Sequence, residues 1–151
     1  MSRRRYQRYG RIAAWYLGAL VLWGLAACEP FWIAPEGRAH DFIETLVTQP
    51  VDAQKLRDIA QVVPDRNPED LLDGLSARVA VDFLRAKQAQ GLVLDFARSD
   101  ARQINTTRRM VTVRVSYRQP GAPANGEVRF QVQVEKDNQG QWHIASVTGD
   151  N

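Results

Sequence analysis

The side chains best suited to chemistry in this chain are few: one thiol, Cys28, and two imidazoles, His40 and His143. A single cysteine excludes an intramolecular disulfide and any site that needs several thiolates. The two histidines stand far apart in sequence, and no His-x-x-x-His or Cys-x-x-Cys spacing joins them to other ligands, so neither a metal nor a bound cofactor is expected. An enzyme would have to use Asp82, Asp95 or His143 as acid or base. Asp95 lies between Leu94 and Phe96, and His143 between Trp142 and Ile144, so alternation along a strand turns both away from the apolar row. No nucleophile forms a triad-like set with them, and the expectation is a domain without catalysis.

Charge is unevenly distributed. The chain carries a net +3, but Arg3, Arg4, Arg5, Arg8 and Arg11 supply five of its twenty basic residues, and all seventeen acids lie at Glu29 or beyond. After Ala27 fifteen basic residues face seventeen acidic ones, a net of −2, and a nucleic-acid partner loses its electrostatic support. Within the body, residues 98–129 hold Arg98, Arg102, Arg108, Arg109, Arg114, Arg118 and Arg129 against Asp100 and Glu127, whereas residues 28–97 hold seven basic and twelve acidic residues. Arg114, Arg118 and Arg129 on one sheet face could dock an acidic protein or an anionic envelope component. The plainer alternative is a solvated face, or arginines paired with acids of the helices.

The position of Cys28 is more informative than its reactivity. Residues 2–11 contain five arginines and no acid, and residues 12–27 contain no charge. This is a basic segment followed by an apolar run of sixteen residues, short of the roughly 20 that a lasting membrane span needs. The run ends in Leu25-Ala26-Ala27-Cys28, which resembles the lipobox of bacterial lipoproteins. The resemblance implies removal of residues 1–27 as a signal peptide by cleavage between Ala27 and Cys28, and a lipid on the Cys28 sulfur. Thiolate nucleophilicity is what that alkylation requires, and two or three acyl chains anchor a protein durably. Glu29 in place of Asp after the cysteine departs from the inner-membrane retention pattern of that family. The resemblance thus implies an outer-membrane protein facing the periplasm, with the inner membrane as the alternative. A different reading keeps residues from about Ile12 towards Ile33 as an uncleaved helix of a single-pass inner-membrane subunit. Asn105-Thr106-Thr107 has glycosylation spacing, which a bacterial lipoprotein does not ordinarily use.

Residues 28–38 read as a lipidated tether with two prolines and a glycine, and residues 39–151 as one α+β domain. A ten-residue tether spans at most ~35 Å. Phe31 and Trp32 within it suit a membrane interface, or else pack under the domain.

The elements follow from periodicity. Asp41–Val47 and Asp52–Val63 read as short helices, the second with Leu56, Ile59, Ala60 and Val63 inward. A long third helix is expected from Asn67-Pro68 to Gly91, with Leu72, Leu75, Val79, Phe83 and Ala86 inward. The period then drops to two. Leu92, Leu94 and Phe96 mark a first strand. Val111, Val113, Val115 and Tyr117 mark the next, then Val128, Phe130, Val132 and Val134, and Trp142–Thr148 forms the last. Three helices on a curved four-stranded antiparallel sheet resemble the cystatin-like or nuclear-transport-factor-2-like α+β cone, with Gly140-Gln141-Trp142-His143-Ile144 opening the closing strand. That fold hosts many activities. The expected function is a membrane-anchored binding or assembly domain; a pocketed domain that binds or transforms a small apolar ligand is the alternative.

Overall fold

A computed structural model describes residues 34–61, 67–97 and 99–150. The chain divides into two units at Pro30/Phe31, and all described residues belong to the second. Cys28, Ala27, Phe31 and Trp32 lie outside the described residues, as does Val63. Among the described residues no helix is long and apolar enough to cross a membrane.

The architecture is α+β: three helices and an antiparallel sheet of five strands. Helix α1 spans Pro35–Val47, α2 Ala53–Ala60 and α3 Gly74–Ala89, with a 3-10 turn at Pro68–Leu71 before α3. The strands are β1 Val93–Phe96, β2 Asp100–Gln103, β3 Arg108–Arg118, β4 Gly126–Lys136 and β5 Trp142–Asp150.

Helix α1 begins six residues before Asp41, so residues 35–38, read from sequence as tether, form its first turn. The start signals are local: Pro35 occupies the first turn, where its missing N–H costs nothing, and Glu36 complements the positive end of the helix dipole. Ala39, Phe42, Ile43, Leu46 and Val47 are fully buried, each large side chain contributing about 1.5–3 kcal/mol. The Leu46 carbonyl, orphaned near the helix end, accepts hydrogen bonds from Arg85 Nε at 3.1 Å and Nη2 at 2.7 Å. Helix α2 is capped by Asp52, whose carboxylate accepts from the Lys55 amide at 2.9 Å, and buries Leu56 and Ala60.

The third helix departs from expectation twice. Asn67-Pro68-Glu69-Asp70 does open a helical segment, with the Asn67 side chain capping the Glu69 amide, but that segment is the 3-10 turn. It stops at Leu72-Asp73 because the backbone there is taken by β5: Leu72 bridges Val147, and the Asp73 amide donates to the Val147 carbonyl at 2.7 Å. This contact also covers the outer edge of β5, an exposed row of donors and acceptors otherwise. Helix α3 then ends before Gly91, whose φ of 83° is a left-handed conformation that glycine adopts without strain.

The second departure is the face. Ala77, Ala80, Val81 and Leu84 are buried, while Leu75 is 78% exposed, Val79 55% and Phe83 38%; Ala86 is exposed too. Of the expected inward set only Leu72 is buried, and it lies before the helix. The physical reason is close approach. A Cβ on Gly149 of β5 would stand 2.8 Å from the Ser76 carbonyl, so the first turn of α3 lies directly on the sheet. At that first turn only a small residue such as Ala77 fits; further along the same face Val81 and Leu84 are buried, and Leu75, Val79 and Phe83 are turned outward.

The sheet order is β1-β3-β4-β5, with β2 also on β3. β1 and β2 share one edge of β3: Phe96 faces Val115 and Asp100 faces Thr112, four residues advancing against three. They behave as one strand with an extra residue, which reconciles the four expected strands with the five observed. β2 is exposed throughout, and Asp100-Ala101-Arg102-Gln103 has no apolar alternation to announce it; backbone pairing with β3 and an ion pair from Asp100 to Arg114 hold it. The alternation expected in β3 and β4 is realised, whereas in β5 a register shift opposite Gln133/Val134 sets Val147 three residues after Ile144; Val111, Val113, Val115, Phe130, Val132, Val134, Trp142, Ile144 and Val147 join the helical residues in one core.

Candidate interaction surfaces

The outward side chains of β3 and β4 form a polar face. Arg114 stands directly across from Arg129, and Arg118 lies four residues further along β3, so the three predicted binding arginines do share this face. Like charges directly opposite are destabilising, and each arginine is neutralised locally. Arg114 Nη2 donates to Asp100 Oδ2 at 3.0 Å, Arg118 Nε to Asp95 Oδ2 at 2.6 Å, and Arg129 Nε to Glu127 Oε1 at 2.8 Å. The Glu127 hydrogen bond and charge, with a lesser contribution from Asp150, raise the pKa of Arg129 further above its ordinary value, while desolvation acts the other way.

The excess of arginine in residues 98–129 therefore dissolves in three dimensions. Arg108 pairs with Glu135 at 2.6 Å and Arg109 with Glu36 at 3.6 Å, both acids from outside that window, as is Asp95. The acids come mainly from the sheet itself; Glu36 is the one contributed by a helix. Arg102 is exposed on β2, and Arg98 lies outside the described residues.

The residues an enzyme would use are not brought together. Asp95 is bound to Arg118 on the edge strand, His143 pairs in register with Glu135 on β5 at the other side of the sheet, and Asp82 is exposed on α3. The sequon-like Asn105-Thr106-Thr107 forms the β2–β3 hairpin turn, where the Asn105 side chain accepts from the Thr107 amide at 2.9 Å.

Two features escaped the sequence reading. On α1, His40, Asp41 and Glu44 bring ligand-type atoms within 4.8 Å of one another; the His40-x-x-x-Glu44 spacing was the available signal. His40 Nδ1 is 3.4 Å from Asp41 and 3.8 Å from Glu44, both carboxylates are well exposed, and the ring packs edge-on against Phe96. These pairings account for the group without an ion.

The other feature is the outer face of α3. Leu75, Val79 and Phe83 follow one another at four-residue intervals along its solvent side. Phe83 packs edge-on against Tyr117 at 5.4 Å, Lys87 Nζ sits 5.0 Å over the Phe83 ring, and Tyr117 in turn lies over Gly126. The apolar stripe thus continues from the helix onto the end of β3. No protein-family model matches the chain, and no curated protein matches it significantly.

Proposed function

We propose that the chain is the precursor of a bacterial envelope lipoprotein, and that its α+β domain is a non-enzymatic binding or assembly module held at a membrane surface. The observation that carries this reading is the order of the amino-terminal signals: a basic segment, a short uncharged run and Leu25-Ala26-Ala27-Cys28. Cys28 is then the lipidated residue, Ala27–Cys28 the cleavage point, and the outer membrane facing the periplasm the favoured address. Between Cys28 and Pro35 the chain spans at most ~25 Å, so the domain stays within a short reach of the bilayer, with Phe31 and Trp32 at the level of the headgroups. The three helices and antiparallel sheet fit the cystatin-like or nuclear-transport-factor-2-like cone. A core of Phe42, Phe130, Trp142 and Ile144 suits a module that works through its surface rather than through an apolar ligand chamber.

Intact-mass measurement of the protein purified from membranes tests the reading. The expected result is loss of residues 1–27 with a gain of acyl mass, both abolished by Cys28→Ala; a full-length, unmodified mass would refute it and favour the uncleaved single-pass alternative.

A further inference from the structure

Exposed Leu, Val and Phe in single file on one helix face are unusual unless something covers them. Leu75 and Phe83 lie four residues to either side of Val79, the least protected stretch of α3. Beside the stripe, on one flank, stand Arg78 and Asp82, both exposed, and neither takes part in an ion pair among the described residues. The arginines of the sheet face, by contrast, are paired. The flank is self-complementary. When two identical helices meet face to face and antiparallel, like flanks meet, and a two-fold axis near Val79 places Arg78 of one copy beside Asp82 of the other, twice.

We propose that α3 is a self-association surface: two copies of this chain pair α3 antiparallel about Val79, Leu75 of one packing on Phe83 of the other, with reciprocal Arg78–Asp82 ion pairs on the flank. Strand addition is the less favourable route, because Leu72 and Asp73 occupy the β5 edge at Val147 and the β1–β2 edge is interrupted. A sixteen-residue helix is ~24 Å long. One such pair covers less than the ~1,200 Å² of a standard stable interface, so the dimer is weak in dilute solution and strengthened by confinement to a membrane. Confinement holds whether the amino-terminal segment is lipidated or remains as a span, so the inference stands apart from the lipoprotein reading.

Cysteine cross-linking of the full chain in its own membranes tests it. Val79→Cys, oxidised with copper–phenanthroline, should give disulfide-linked homodimer at about tenfold the yield of Thr106→Cys at the hairpin tip, or of the parent chain bearing Cys28 alone. Adding Asp82→Arg should abolish that excess, and adding Arg78→Asp with it should restore it, with unchanged circular dichroism throughout. No excess over the controls overturns the proposal. So does a cross-linked product with a different protein, or a charge swap that fails to restore the homodimer.

Discussion

The outward face of the sheet and the outward face of α3 both meet solvent, yet they solve that exposure differently. On the sheet, four arginines are matched one to one with Asp95, Asp100, Glu127 and Glu135, and the positions between them are Met110, Thr, Ser and Gln. On α3 three bulky apolar side chains stand in a row beside an unpaired Arg and Asp. The first surface is electrostatically closed: an acidic partner would have to displace carboxylates already in place, at the expense of existing ion pairs. The second leaves Leu75 and Val79 open beside a Phe83 that is partly covered by Tyr117 and Lys87, and its Arg78 and Asp82 without ion pairs among the described residues.

The comparison can be broken from the inside first. Phe130 lies next in sequence to Arg129 but under the sheet, fully buried and opposite Val113. Phe130→Ala should cost about 3–5 kcal/mol in urea denaturation; a cost below about 1 kcal/mol would show a loosely filled interior and favour the pocketed alternative. Gly149→Ala comes next, at about 1–3 kcal/mol, because its Cβ meets the Ser76 backbone rather than a side chain that can move aside. Unchanged thermal stability there would mean that α3 does not rest on β5.

The two surfaces themselves should give small effects of different kinds. Arg114→Ala should change stability by less than about 1 kcal/mol, since Asp100 is exposed and removal of the guanidinium relieves the contact with Arg129. A larger loss would mean that the sheet face is a cooperative network. Leu75→Ser should alter the folding free energy by no more than about 0.5 kcal/mol while reducing association in the cross-linking measurement. A loss of several kcal/mol would place Leu75 in the core and erase the contrast between the faces.

Much of the fold is legible in the linear pattern. Valine alternation in Val111–Val115 and Val128–Val134 marks the inner face of β3 and β4 residue by residue, because a strand has a fixed two-residue period. Asn67 announces a cap, though of the 3-10 turn rather than of the long helix expected there. β2 is invisible because it buries no side chain and so needs no apolar alternation. Helix α3 misleads because it has two apolar faces, one of Leu75, Val79, Phe83 and Ala86, the other of Ala77, Ala80, Val81 and Leu84. A hydrophobicity count prefers the first. Packing selected the second, since at Gly149 the first turn of α3 approaches the sheet so closely that only a small residue, Ala77, fits there.

The surface divides in the same way. Sequence alone determined the class of fold, the alternation of the strands and the position of Cys28 at the end of a basic and then uncharged segment, because these depend on neighbours along the chain. Tertiary structure decided which arginines are neutralised and which helix face is left open. Those outcomes depend on Glu36, Asp95 and Glu135 arriving from distant elements, and on how closely one backbone can approach another.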